Sequence, residues 1–182
     1  MRNFLAILFV LLAAGTSLGR AQVAPSATAR QFGLSAGGLG TFFQPDYGPN
    51  NLYGVGAYVD LKFTRWIQLE GEGRWLRLNQ YANVYEDNYL GGPRIPIRRF
   101  WRATPYGKVL VGAGVLNFQY NIAHGRFTDI AYGGGVDIDV TRHLTVRAID
   151  FEFQQWPNWV DGTLSPYGFS AGMSYRIFGA AR

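Results

Sequence analysis

Hydrophobic and polar side chains alternate residue by residue along much of this chain. In the segment 52–63 the apolar positions are Tyr53, Val55, Ala57, Val59, Leu61 and Phe63, and the positions between them are Gly54, Gly56, Tyr58, Asp60 and Lys62. A period of two indicates a β-strand, because successive side chains leave opposite faces of a pleated sheet. The pattern therefore predicts strands with one apolar face and one face that carries charges of both signs.

Eight such segments follow residue 30, and the connectors between them alternate in length. The predicted strands are 31–43, 52–63, 66–79, 87–98, 104–118, 127–140, 143–155 and 166–178. The connectors 64–65, 99–103 and 141–142 are short, whereas 44–51, 80–86, 119–126 and 156–165 are long and rich in turn-forming residues. An even number of strands, with short turns at one end and long loops at the other, is typical of bacterial outer-membrane barrels.

Two of the predicted strands depart from plain alternation. The apolar positions of strand 143–155 change phase halfway, at Leu144, Val146, Ala148, Ile149, Phe151 and Phe153. One extra residue near Ala148 would restore the alternation, so we predict a β-bulge there. Strand 87–98 is the weakest of the eight, because Pro93 and Pro96 each remove a hydrogen-bond donor from the ladder.

The polar face of the predicted strands collects seven acids and seven bases. The acids are Asp60, Glu70, Glu72, Asp137, Asp139, Asp150 and Glu152, and the bases are Lys62, Arg74, Arg94, Arg98, Lys108, Arg147 and Arg176. A soluble lipocalin-like barrel would place apolar residues inside, whereas a membrane barrel turns its apolar face to lipid. We therefore predict an all-β fold, an eight-stranded antiparallel up-and-down transmembrane β-barrel.

The inward charges of such a barrel have to be paired. A lone buried ion is costly, and the interior of eight strands is only wide enough for side chains to fill it. We therefore expect a filled lumen with a structural charge network made of Glu70, Glu72, Arg74, Lys108, Asp137, Arg147, Asp150, Glu152 and Arg176. Glycines on the same face are expected to make room for the long side chains.

The N-terminal segment and the composition fit export. Residues 1–21 combine Arg2, the apolar run 4–14 and the small-residue ending Gly19-Arg20-Ala21, which predicts a cleaved secretory signal peptide. Residues 22–30 are interpreted as a flexible leader, 31–178 as the barrel and 179–182 as a tail. The chain has 24 glycines, 16% aromatic residues and no cysteine. Its formal charge of +5 is too small an excess to indicate nucleic-acid binding.

Several motifs carry a resemblance to a known family. They are the related units VDLKFTRWIQLE (59–70) and VDIDVTRHLTVR (136–147), the segment TPYGKVLVGAG (104–114) and the ending SAGMSYRIF (170–178). The chain resembles the small eight-stranded OmpA/OmpX-type outer-membrane β-barrel proteins of Gram-negative bacteria. The resemblance implies location in the outer membrane after export through the inner membrane. It also implies that Tyr175, Ile177 and Phe178 form the C-terminal signal for the barrel-assembly machinery, although four more residues follow here.

Little in the sequence points to catalysis, a cofactor or a metal. The two histidines are His124, in a predicted long loop, and His143, beside a tight turn. Ser165 is predicted at the opposite barrel end from His143, so a nucleophilic arrangement of serine and histidine is not favoured. We expect no enzymatic activity, no cofactor and no metal ion.

The long loops carry acids and aromatic residues. Asp46, Glu86, Asp87 and Asp161 are assigned to these loops as solvated charges without the dense spacing of a calcium site. A second group is expected to form the interfacial aromatic girdle: Tyr81, Tyr85, Tyr89, Tyr120, Trp156 and Trp159. A binding surface for carbohydrate or protein is the alternative interpretation of these aromatic residues.

These observations predict a non-enzymatic protein with a role in envelope integrity or surface interaction. Three alternatives stay open: an adhesin or binding module that acts through four external loops, a narrow porin-like pore, and a soluble lipocalin-like binding protein. The expected partners are outer-membrane lipid, lipopolysaccharide and the barrel-assembly machinery, with a possible surface ligand at the loops and no nucleic acid. We expect a monomer.

Overall fold

The computed structural model describes residues 32–46, 51–78, 84–117, 124–159 and 162–179. Its strands are β1 Gly33–Gln44, β2 Leu52–Lys62, β3 Gln68–Leu76, β4 Tyr85–Pro96, β5 Ala103–Asn117, β6 His124–Asp139, β7 Leu144–Trp159, β8 Gly162–Leu164 and β9 Tyr167–Phe178. The predicted signal peptide, the leader and residues 180–182 lie outside this part of the chain. Within it, no helix is long and apolar enough to cross a membrane.

The strands close into a barrel. Each of β1 to β7 pairs antiparallel with the next, and β9 pairs with both β7 and β1. The short strand β8 pairs only with β7, at Trp156–Leu164 and Trp159–Gly162, and so extends one hairpin beyond the barrel. The eight barrel strands are therefore β1 to β7 and β9, and the predicted up-and-down fold is confirmed.

Side chains along the strands alternate between the lumen and the outer surface of the barrel, as the period of two in the sequence predicts. Along β2, Tyr53 and Val55 are exposed, whereas Tyr58 and Asp60 are only 2% and 6% exposed. Exposure alternates in the same way along β3 and β9. The apolar residues thus cover the outer surface and the charged residues point into the lumen, which excludes the soluble barrel with an apolar interior.

The bulge predicted in β7 is confirmed. Against β6, the register passes from Val136–Ile149 directly to Asp137–Arg147, so Ala148 is the extra residue. Ala148 and Ile149 are both exposed, and Arg147 and Asp150 on either side of them are both buried. Because of this insertion, both halves of β7 turn their charged residues inward.

The two tight turns share one construction. Thr64 Oγ1 accepts hydrogen bonds from the backbone amides of Trp66 and Ile67, at 3.2 and 3.0 Å. Thr141 Oγ1 does the same for His143 and Leu144, at 3.2 and 2.9 Å. A threonine hydroxyl that accepts from amides two and three residues ahead closes such a turn.

Several strands extend into segments that the sequence assigns to long loops. Tyr85 and Glu86 belong to β4, His124 begins β6, and β7 continues to Trp159. The loop assignments of these residues, and of Asp87 in β4, are therefore wrong. Hydrogen bonding to the neighbouring strand determines where these strands end. A turn-forming residue such as Gly125 can still pair in the sheet, here with Leu116 of β5.

Candidate functional site

The candidate site is the interior of the barrel, here called the lumen. Its turn end is the end that carries the short turns 63–67, 97–102 and 140–143, and its loop end is the opposite one. The lumen holds the largest group of buried ionisable side chains in the described residues. Ten acidic and five basic residues are buried there or at its rim: Asp60, Glu70, Glu72, Glu86, Asp87, Asp129, Asp137, Asp139, Asp150 and Glu152, with Arg74, Arg94, Lys108, Arg147 and Arg176.

Lys108 stands at the centre of this group. Its Nζ lies 3.1 Å from carboxylate oxygens of Glu70, Glu72 and Glu152, and 2.6 Å from Asp150 Oδ2. The lysine belongs to β5, and the four carboxylates belong to β3 and β7 on either side of it in the barrel. One ammonium group therefore ties two strands that are not neighbours in the sheet.

Three of these carboxylates have the spacing of a metal site. Oxygens of Glu70, Glu72 and Asp150 lie within 4.8 Å of one another, close enough for a single cation to contact all three. Because the ammonium of Lys108 is within 3.1 Å of each of them, it takes the place that such a cation would have. The donor set is thus occupied by the chain itself.

Two arginines continue the pairing toward the turn end. Arg94 donates to Asp60 Oδ2 at 2.8 Å and to Asp137 Oδ2 at 2.6 Å. Arg147 donates to Glu70 Oε2 at 2.6 Å, and its Nη2 lies 3.6 Å from Asp60 Oδ2. Shared carboxylates link these two guanidinium groups to Lys108, so the charges form one connected set and not isolated pairs.

Aromatic rings cover the flat faces of the same arginines. The guanidinium carbon of Arg94 lies 3.6 Å from the ring centre of Tyr106, and that of Arg147 lies 3.8 Å from the ring centre of Tyr58. A guanidinium can stack on a ring while its edge donates hydrogen bonds in the plane. Tyr58 and Tyr106 therefore fill the space beside the arginines without competing for their donors.

Arg74 is the last residue toward the loop end in this connected set of charges. Its Nε lies 3.0 Å from Glu72 Oε1, and its Nη2 donates to Glu152 Oε1. We call the connected set the charge network: Asp60, Glu70, Glu72, Arg74, Arg94, Lys108, Asp137, Arg147, Asp150 and Glu152. Arg176 lies closer to the turn end, where it donates to the backbone oxygen of Arg142 and lies 3.9 Å from Asp139.

Beyond Arg74 a group of apolar side chains fills the lumen beside the buried polar residues Glu86 and Asn117. We call this part the apolar plug: Phe43, Leu52, Leu76, Leu116, Phe127 and Trp156. The rings of Phe127 and Trp156 stack with their centres 3.8 Å apart. Trp156 is 1% exposed, so its assignment to the interfacial girdle is wrong. Tyr89 does lie on the outer face, where it is 54% exposed and its hydroxyl accepts a hydrogen bond from Trp75 Nε1.

The expected balance of seven acids and seven bases is also wrong. Arg98 lies beyond the end of β4 and is exposed, and Lys62 is half-buried at the turn end. Sequence reasoning missed Glu86 and Asp129, which are fully buried. Glu86 accepts a hydrogen bond from Asn88 Nδ2 at 2.6 Å.

At the loop-end rim, a hydrogen bond to Asp87 raises the pKa of Arg77.

Inward glycines allow the close approach either of aromatic rings or of the backbone of a neighbouring strand. A Cβ at Gly114 would touch the ring of Phe127, and one at Gly168 would touch the ring of Phe43. Gly56 follows the expectation of space for a long charged chain, since its Cβ would lie 3.0 Å from Cγ of Arg74. These close approaches explain why the inner wall is rich in glycine.

Little space is left between the side chains of the lumen. A cavity of about 20 Å³ lies at the turn end, between Asp60, Asp137 and Arg176. That volume holds roughly one water molecule. The geometry describes a barrel closed by its own side chains, with lipid-facing apolar strands around them.

The sequence matches the family described as outer membrane protein beta-barrel domain over residues 8–176. This chain belongs to that family. No curated protein matches its sequence. The outer-membrane barrel is nevertheless similar to several solved structures.

Neisserial surface protein A has 8% sequence identity and a TM-score of 0.61, with 80% of this chain and 96% of that chain covered. The N-terminal β-barrel domain of OprF from Pseudomonas aeruginosa has 14% identity and a TM-score of 0.54, with 81% and 100% covered. OprG from the same organism has 10% identity and a TM-score of 0.53, with 82% and 97% covered. At these identities the likeness shows the fold.

Other candidate residues of the outer-membrane barrel are not brought together. His143 lies at the turn end with its ring stacked on Tyr175, whereas the amide of Ser165 donates to Asp46 at the loop end. His124 begins β6 at the loop end. Tyr81, Tyr120 and Asp161 lie outside the described residues.

The residues assigned to the C-terminal assembly signal lie at the end of β9. Tyr175 and Ile177 are 58% and 56% exposed on the lipid-facing surface. Phe178 packs against Phe32, with ring centres 5.6 Å apart. The three side chains therefore remain accessible from outside the barrel along its closing strand.

Proposed function

We propose that this outer-membrane barrel is a non-enzymatic structural protein with a sealed lumen, and that it supports the integrity of the cell envelope. One observation carries the proposal: Lys108 is bound by four carboxylates from β3 and β7 across the interior. Contacts of this kind stiffen the wall and fill the middle of the lumen with side chains.

The charge network also opposes conduction. An ion that crosses the lumen would have to separate buried pairs such as Arg94–Asp137 and Arg147–Glu70. Separating such a pair leaves a buried charge without its partner, which is strongly destabilising, so the passage of an ion is opposed. The apolar plug adds a second obstacle at the loop end, because an ion would lose its hydration there.

Conductance across a planar lipid bilayer tests the sealed lumen. The purified barrel should give no steady single-channel steps at neutral pH and moderate salt. Reproducible steps from the wild-type protein would instead favour a narrow pore. In cells, a deletion strain should become more permeable to detergents, and the wild-type chain should restore the barrier. Loss of binding to a surface ligand with an unchanged barrier would favour an adhesin.

The orientation proposed for the barrel has the long connectors outside the cell and the short turns in the periplasm. The chain has no cysteine, so a single introduced cysteine reports its position cleanly. Cysteine at Asn50 or Asn158 should react with an impermeant thiol reagent in intact cells, and cysteine at Thr64 or Thr141 should not. Labelling at the two threonine positions alone would invert the orientation.

The proposed partners follow from this placement. Outer-membrane lipid and lipopolysaccharide would surround the apolar outer surface. The barrel-assembly machinery would bind the end of β9 at Tyr175, Ile177 and Phe178 during insertion. The barrel would work as a monomer, with its lumen closed by residues of one chain.

A further inference from the structure

We propose that the turn end of this barrel binds an anionic phospholipid, with its phosphate between two turns that carry arginine and an acyl chain along β4. The proposal depends on the membrane-spanning fold and not on the sealed lumen. It can therefore fail while the proposed function stands, and the reverse also holds.

The short turns are basic and aromatic. Their basic residues are Arg65, Arg98, Arg99, Arg102 and Arg142, and they contain no Asp or Glu. Trp66, Phe100 and Trp101 are 60%, 61% and 87% exposed. Exposed aromatic rings beside cationic side chains suit the zone where lipid headgroups meet hydrocarbon.

A groove of about 350 Å³ lies between the first two of these turns. Four basic residues line it, namely Lys62, Arg65, Arg98 and Arg99, together with the apolar surface of Trp66, Pro96 and Ile97. None of its lining residues is acidic. Positive charge above an apolar floor is complementary to a ligand that is anionic at one end and apolar at the other.

The basic residues of the groove differ in how firmly they are held. Arg99 lies 3.3 Å from Asp139, and Arg65 stacks over the ring of Trp66 at 4.8 Å. Arg98 is exposed and has no ion-pair partner among the residues that the structure describes. Arg65 and Arg98 are therefore the two guanidinium groups most available to a phosphate.

A second, apolar groove lies on the lipid-facing surface along the same strand. It has a volume of about 460 Å³ and is lined by Pro93, Ile95, Val109 and Tyr132, with Gly107, Gly133 and Lys108, whose side chain is buried in the lumen. Ile95 in this groove lies near the end of β4, and Ile97 in the first groove is the residue just beyond that end, where its amide still donates to the backbone oxygen of Pro105. The two side chains are two residues apart in extended backbone and are both exposed, so they point to the same face. The first groove, at the turn end, would hold the headgroup, and the second, farther along β4, would hold the acyl chain.

Net negative charge distinguishes the proposed ligand from other membrane lipids. A zwitterionic headgroup offers no net attraction to four cationic side chains, whereas an anionic headgroup gains roughly 1 kcal/mol per basic residue near it, or about fivefold in affinity each. A free phosphate would gain the same attraction and would leave the apolar groove empty.

Native mass spectrometry of the detergent-solubilised barrel tests the proposal, with phosphatidylglycerol and phosphatidylethanolamine of identical acyl chains as probes. We expect phosphatidylglycerol to bind at least tenfold more tightly, in line with two or more basic contacts. Glycerol 3-phosphate, which has no acyl chain, should not displace it. Equal binding of the two lipids, or displacement by glycerol 3-phosphate, would overturn the proposal.

Variants locate the site. The double variant Arg65→Gln/Arg98→Gln should lose most of the preference for phosphatidylglycerol. Arg126→Gln, an exposed change at the loop end, should keep it. A shift in gel mobility on heating shows that each variant is folded, and Arg98→Gln alone replaces the double variant if that one does not fold. An equal loss of the preference in Arg126→Gln would overturn the assignment to the turn end.

Discussion

The two ends of the lumen are closed by opposite chemistry. From Arg94 to Arg74 the interior is filled by ionised groups that share partners across the barrel. Beyond Arg74 aliphatic and aromatic side chains fill it, with Phe127 stacked on Trp156, together with the buried Glu86 and Asn117. Both parts fill the same barrel, and both leave little free space.

The difference lies in what each filling demands of the sequence. An ionic filling works only if every charge finds its partner, because a buried charge without one is strongly destabilising. An apolar filling demands volume and shape, and it tolerates exchange among residues of similar size. The charge network therefore fixes how strands face each other, and the apolar plug mainly excludes water.

Loss of the central ammonium should have the largest effect. Lys108→Met would leave four carboxylates without their shared cation, so we expect the free energy of unfolding in lipid vesicles to fall by about 5 kcal/mol. The matched control is Lys62→Met, at the other lysine of the chain, which is half-buried and should cost about 1 kcal/mol or less. Equal losses in urea unfolding would mean that the network does not stabilise the barrel.

A break in the apolar plug should cost somewhat less. Trp156→Ala removes a buried ring and leaves a cavity, so we expect a loss of about 3–4 kcal/mol in the same urea measurement. Trp66→Ala is the control, because Trp66 is 60% exposed. If Trp156→Ala were as mild as Trp66→Ala, the ring would not be packed inside the barrel.

A double-mutant cycle should resolve the pairing inside the charge network. Glu72 lies 3.0 Å from Arg74 Nε, so Glu72→Gln and Arg74→Met should couple by about 2 kcal/mol. Arg176 contacts Asp139 at the turn end, and Glu72→Gln with Arg176→Met should be additive. Additivity in both cycles would show that the lumen is hydrated and that its charges are screened.

The smallest effect should come from a single methyl group. Gly114→Ala would press against the ring of Phe127 and lie 2.5 Å from Asn88 Oδ1, so we expect a loss of about 1–2 kcal/mol. Gly71→Ala is the control, because a Cβ there meets no atom within 4 Å. A greater loss for Gly71→Ala in thermal unfolding would contradict the packing of the plug.

The sequence was sufficient to predict the barrel and one of its irregularities. Strict alternation marks the two faces, and alternating connector lengths mark an even number of strands. The change of phase at Ala148 predicted the bulge, because a one-residue slip would move every following side chain to the wrong face. These features depend on the spacing of residue types along the chain, which can be read directly from the sequence.

The apolar plug and the excess of acids could not be predicted in this way. Tryptophan is a typical residue of the interfacial girdle, so the residue type of Trp156 suggests the outer surface. The extension of β7 as far as Trp159 shows that the side chain of Trp156 points into the lumen. Glu86 lies in a segment that the sequence assigns to a long loop, so it is interpreted as a solvated charge. Asp129 lies near the start of a predicted strand, and it is not included among the inward-facing acids. Which charges pair depends on distances across the barrel, and no linear spacing reports those.

Which side chains of β7 face the lumen depends on the number of residues in the bulge at Ala148. Arg147 and Asp150 face inward with two outward residues between them, whereas along β2 only one outward residue separates inward neighbours. An amino-acid substitution at Ala148 or Ile149 leaves that count unchanged. A deletion of either would shift the remaining length of β7 by one step and offer Asp150 and Glu152 to lipid. We therefore expect homologous chains to exchange one apolar side chain for another at this point and to vary hardly at all in length.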